Sequence, residues 1–135
     1  MFYEKREKLI NKIEEAIEKE TLQNINQDYI IKNYQNQKNG IYFLYDNDNI
    51  VIYVGMVGNG PDTSFAHRMY GHGSGAHDKQ IWFSEATKFK FKCFQKLNKK
   101  QLLQVERLMI CAKRPKYNDC YVTEDDINTI SKNID

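Results

Sequence analysis

The sequence predicts a small α/β protein, with a mixed sheet of three or four strands flanked by helices and preceded by a helical extension. Three observations predict it. Two segments rich in β-branched and aromatic residues, 40–46 and 50–55, flank Asn47-Asp48, the pattern of a hairpin. Residues 88–94 alternate lysine with apolar residues at the two-residue period of a half-buried strand. Stretches near both ends of the chain, and 97–114, repeat their apolar residues at the helical period.

In chain order, 4–19 puts Leu9, Ile10, Ile13, Ala16 and Ile17 on one stripe with charges opposite, an amphipathic helix. Residues 21–39 are rich in Asn, Gln and Tyr, with a short helix predicted over 28–35. If Asn47-Asp48 is the centre of the hairpin turn, Ile41, Phe43, Tyr45, Ile50, Ile52 and Val54 share one apolar face. Tyr42 and Tyr53 then stand opposite each other on the other face, unless a bulge intervenes. Asp62 or Thr63 caps a helix over 64–71 that the glycines at 71, 73 and 75 end. Residues 80–84 form a short strand or an ordered loop. Pro115 stops the helix over 97–114, and Thr123 with Asp126 resembles a capping box before Ile127, Ile130 and Ile134.

The division is a helical extension over 1–39, a core over 40–118 and a helical tail over 119–135 packed on the same domain. At 135 residues the chain can bury one real core, and 41% apolar content excludes a disordered chain. No apolar run is long enough to span a membrane. The start lacks the apolar core of a signal peptide. The odd, scattered set Cys93, Cys111 and Cys120 argues for a reducing, cytoplasmic compartment and against a disulfide framework or zinc ribbon. Net charge is only +2, but residues 88–116 hold ten lysines and arginines against a single acid, Glu106. That segregation suggests a surface for phosphates, with Lys88, Lys90 and Lys92 as nucleic-acid contacts. The helical stripe of 4–19 fits its own domain or a second subunit, so monomer and homodimer are both admitted.

Glu106 is the residue that does not fit its surroundings. Its helical neighbours three and four positions away are Leu102, Leu103, Met109 and Ile110, all apolar. A carboxylate on such a face persists when something binds it, either a protein cation such as Arg68 or a metal ion. Three further groups accompany it. Tyr42 and Tyr53 lie on the hairpin. Arg68 and His72, four apart, share one side of a short helix. Asn118 follows Tyr117 after the helix-stopping proline. His67 and His77 are weaker candidates, because histidines at 67, 72 and 77 do not share a helix face and so make a three-histidine zinc site a poor fit.

Gly40-Ile41-Tyr42 followed by Tyr53-Val54-Gly55 resembles the paired signature of the GIY-YIG nuclease family. Arg68 with His72, Glu106 on a late helix, and Pro115-Lys-Tyr-Asn118 are similar to that family's arginine, histidine or tyrosine, metal-binding glutamate and closing turn. The resemblance covers about 40–118. Met56 departs from it, standing where many members carry lysine or serine. The resemblance implies a DNA endonuclease that uses one Mg2+ or Mn2+ ion on Glu106. In that scheme Tyr42 is the general base or water-positioner, Tyr53 and His72 assist, Arg68 holds the phosphate, and Asn118 fixes Glu106 or its turn. The alternative is a non-catalytic nucleic-acid-binding module that keeps the scaffold.

Overall fold

A computed structural model describes residues 2–73, 83–118 and 124–134, with side chains omitted for 72, 73 and 124–126. His77, Cys120 and Thr123 lie outside the described residues, as do 80–82 of the segment read as a strand or loop. The described elements are α1 (Phe2–Glu18), β1 (Gln23–Asn24), α2 (Gln27–Tyr34), β2 (Gly40–Tyr45), β3 (Val51–Val57), α3 (Phe65–Gly73), β4 (Lys88–Cys93), α4 (Lys99–Lys113) and α5 (Glu124–Ser131). The strands form one sheet in the order β1-β4-β2-β3. All three pairings are antiparallel, which corrects the mixed sheet expected from the sequence. The fourth strand is the two-residue β1, too short to leave a periodic signal, supplied by the Asn/Gln/Tyr-rich segment.

Helices cover both faces of the sheet. On one face α1, α4 and α5 enclose Ile41, Phe43, Val54 and Met56, and the predicted stripe of α1 buries Leu9, Ile10, Ile13 and Ile17 there. Each such aliphatic side chain contributes about 1.5–3 kcal/mol. On the other face α2 and α3 cover Tyr42, Leu44, Ile52, Phe89 and Phe91. Central β2 is therefore buried on both sides, which explains its nearly unbroken apolar run.

The hairpin departs from the simple register for two local reasons. Asp46 Oδ1 accepts from the N–H groups of Asp48 and Ile50, and Asn49 adopts a left-handed φ of 61°, which adds a residue to the turn. A bulge between Leu44 and Tyr45 of β2 and their partners adds another at Ile52. Tyr42 consequently pairs with Gly55, and Tyr53 with Leu44. Two one-residue slips restore the original sidedness, so both tyrosines still share a face. Ile50 is left 59% exposed instead of joining the apolar face, and Ile52 turns to the tyrosine face.

Caps set the helix limits. Ser64, rather than Asp62 or Thr63, caps α3 by accepting the His67 N–H at 3.0 Å. Asn98 and Gln101 form a capping box on α4, and Arg114 ends it in a left-handed conformation ahead of Pro115. Asn39, also left-handed, ties three segments together. Its N–H donates to Gly58 O, its Nδ2 to Phe94 O and Leu97 O, and its carbonyl accepts from Phe94 N. Cys111 is disulfide-bonded and Cys93 is free. No helix among the described residues is long and apolar enough to cross a membrane.

Gly40 begins β2 where β4 passes closest. A Cβ there would strike the Lys92 carbonyl oxygen and the Phe91 ring. Gly40→Ala is expected to cost about 3 kcal/mol in urea unfolding. Gly58→Ala, with no described residue within 4 Å of the added carbon, should change stability little.

Candidate active site

Strand β3 is an edge. Among the described residues its outward N–H and C=O groups at alternate positions face no strand and need other partners. The turn after α4 supplies them. Tyr117 N–H donates to Ile52 O at 3.1 Å. The Asn118 side chain grips Val54 twice, accepting from its N–H at 2.8 Å and donating to its C=O at 3.1 Å. The next outward group, the Met56 N–H, lies close enough to the Glu106 carboxylate to favour its charged form. Asn118 thus acts on the strand beside Glu106, whereas the sequence reading gave it Glu106 itself or the turn.

Glu106 is half-buried at the sheetward side of α4, among the buried Leu102, Met109 and Ile110. Burial pushes its pKa from 4.5 up to about 7, against the opposing pull of Arg68, Arg107 and the Met56 N–H. Among the described residues no cationic nitrogen comes within the 4.0 Å of an ion pair with it. The salt bridge to Arg68 is therefore not formed.

Two phenols and a guanidinium stand within electrostatic reach of that carboxylate. Tyr42 is 1% exposed, its ring over Gly55 so closely that any Cβ at 55 would collide with the ring and hydroxyl. Tyr53 sits 6.1 Å away between ring centroids, and the Tyr42 hydroxyl donates to it. Burial raises both phenols, Tyr42 well above its ordinary value, and the Glu106 charge adds to this while Arg68 opposes it. Arg68 lies exposed on α3. Both phenols are protonated at neutral pH.

The structure therefore brings together Tyr42, Tyr53, Arg68 and Glu106, with Asn118 behind them. His72 lies on α3, but its side chain is not among those described; His67 is exposed. The lysine face lies apart. Lys92 and Lys90 pair with Ile41 and Phe43, so Lys88, Lys90 and Lys92 occupy the sheet face opposite the tyrosines. Lys88 Nζ donates to Asn49 Oδ1 at 2.6 Å and Lys90 Nζ reaches Glu18 O at 3.4 Å. Sequence reasoning missed Arg107, a second positive charge acting on Glu106 and adjacent to it in the chain, and the Met56 N–H, which no side-chain pattern encodes.

Glu106 is the residue of this cluster that could hold a divalent cation. Among the described residues no group of three or more His, Cys, Asp or Glu side chains forms a protein cage for a metal. No protein-family profile, curated protein or solved structure matches the chain.

Because the folded protein raises the Glu106 pKa, its charged form is penalised on folding. The penalty grows as pH rises from about 4.5 to about 7 and is complete above that. Glu106→Gln should therefore stabilise the metal-free protein by about 1–3 kcal/mol near pH ~8 and by little near pH ~4. Urea unfolding at the two pH values checks this. A loss of stability near pH ~8 would instead mark a structural ion pair.

Proposed function

We propose that the chain is a metal-dependent DNA endonuclease of the GIY-YIG type, hydrolysing phosphodiester bonds. The observation that carries this reading is Glu106, a half-buried carboxylate beside the Met56 N–H, with no protein cation in ion-pair contact among the described residues. It lies within electrostatic reach of two hydroxyls and Arg68. The order of the sequence motifs, from Gly40-Ile41-Tyr42 to Asn118, supports the same reading.

The donor set fits a hard divalent cation, since Mg2+ keeps several waters and accepts one protein carboxylate together with substrate oxygens. Bound there, Mg2+ or Mn2+ supplies neutralisation of the phosphate charge and stabilisation of the leaving 3′ oxygen. Arg68, exposed on α3, offers a planar fork of donors to the scissile phosphate. The hydroxyl pair orients the attacking water. The resemblance gives that water to Tyr42, but the burial gradient favours Tyr53 as the phenol that meets it. Tyr42 is the more deeply buried, and its donation to Tyr53 stabilises negative charge on Tyr53 Oη. Tyr42 is then a positioning residue. His72, four residues beyond Arg68, is the candidate proton relay. Asn118 holds the segment of β3 that carries Tyr53 and the Met56 N–H.

Cleavage of labelled DNA is expected with Mg2+ or Mn2+ and not with EDTA. Glu106→Gln should abolish it, and Arg68→Ala should slow it about 10²- to 10³-fold. Tyr53→Phe should cost about 10²-fold or more, and Tyr42→Phe less. At low Mg2+ the rate should rise with pH as Glu106 ionises, and added Mg2+ should move that rise below about 7, because metal and proton compete for the carboxylate. Binding without cleavage in either metal would instead support a non-catalytic module.

A further inference from the structure

Where β1 ends and leaves the Phe91–Cys93 edge of β4 uncovered, α2 borders a recess of about 350 Å3 that the cleavage chemistry does not use. Its wall combines the rings of Tyr29 and Tyr34 with the side-chain amides of Asn33 and Gln37, and Glu20 and Lys92 complete the rim. Tyr34 is fixed. Its ring packs edge-on against Phe65 and Phe89 at 5.3 and 5.4 Å, and its hydroxyl accepts from Gln23 Nε2 at 2.8 Å. Tyr29 is 45% exposed, its ring tilted 55° to that of Tyr34 at 6.3 Å. Asn33, one helical turn on, donates to Tyr29 O and keeps its side-chain oxygen as an acceptor.

We propose that this recess takes an unpaired nucleobase of a DNA strand, so that the substrate class is DNA carrying single-stranded nucleotides beside the cleavage point. This rests on the reading that the chain acts on DNA. Every base offers a π-face to an exposed aromatic ring, and stacking of this kind binds single strands. Amides and a carboxylate read a base edge, Glu20 accepting from an exocyclic amine. Lys92 projects to the other sheet face but lines the rim at the β4 edge, where it supplies a cation for the neighbouring phosphate. A base still paired and stacked in a duplex cannot present its face to Tyr29.

The recess is joined to the site. Tyr34, Phe65 and Tyr42 form a continuous run of ring contacts at 5.3 and 5.1 Å. Gln27 Nε2 at the start of α2 donates to Met69 O, the residue after Arg68, at 2.9 Å. Arg68 and Tyr29 thus stand on α3 and α2, two helices that pack directly on each other, so one strand can meet both.

Fluorescence anisotropy in EDTA, where the reading above allows no cleavage, compares a labelled mixed-sequence single strand with its duplex. Tyr29→Ala should weaken single-strand binding about 5- to 100-fold and leave duplex binding unchanged. Tyr29→Phe, which keeps the ring, should retain it, and Asn33→Ala should weaken the single strand selectively. Unchanged single-strand affinity in Tyr29→Ala, or an equal loss for the duplex, overturns the proposal. The two readings fail separately. Tyr29-dependent binding without cleavage in Mg2+ or Mn2+ sinks the nuclease and keeps the recess. Glu106-dependent cleavage with Tyr29→Ala binding as wild type sinks the recess and keeps the nuclease.

Discussion

An edge strand must find partners for its outward backbone groups, and in this protein that requirement organises the rest. Three successive outward positions of β3 face α4 and the turn behind it: Ile52 is bonded by Tyr117, Val54 by Asn118, and Met56 turns its N–H toward Glu106. The first two contacts are structural. The third involves a carboxylate whose burial is costly, which Arg68, Arg107 and the Met56 N–H offset in part. Blocking the edge also protects it from pairing with another chain. The same contacts therefore close the sheet and hold a strained acid at its rim.

Steric fit decides the other half of the cluster. Gly55 leaves room for the Tyr42 ring to lie flat over the strand and reach Tyr53, and Gly40 lets β4 approach β2. The two glycines act at different points for one reason, the absence of a Cβ where another group must pass. Phe65 and its aromatic neighbours then lock the Tyr42 ring from the far side. Hydrogen bonding at the edge and ring packing beneath it converge on the same few residues.

Periodicity made much of this legible. The stripe of α1, the alternation of β4 and the apolar face of α4 all follow from which residues recur, and Glu106 was conspicuous because it broke a pattern. Register was not legible in full, because Asn49 and Ile52 each add one residue by a backbone conformation that composition does not encode. That the tyrosines kept a common face reflects two slips cancelling. The lysine alternation revealed a face but not which one; pairing of Lys92 with Ile41 turned it away from the tyrosines. Asn118 was identifiable as a turn residue, yet its partner Val54 lies 64 positions away. Contacts of that range depend on the assembled sheet.

Asn39 has a chemical consequence of its own. It precedes Gly40, and an asparagine before glycine is the dipeptide most prone to deamidate, through attack of the following backbone nitrogen on the side-chain carbonyl carbon. Here two hydrogen bonds from Nδ2 to Phe94 O and Leu97 O hold the carboxamide. The intact fold therefore slows the ageing of its own backbone at the first residue of the central strand, and succinimide chemistry becomes open to this junction once the chain unfolds.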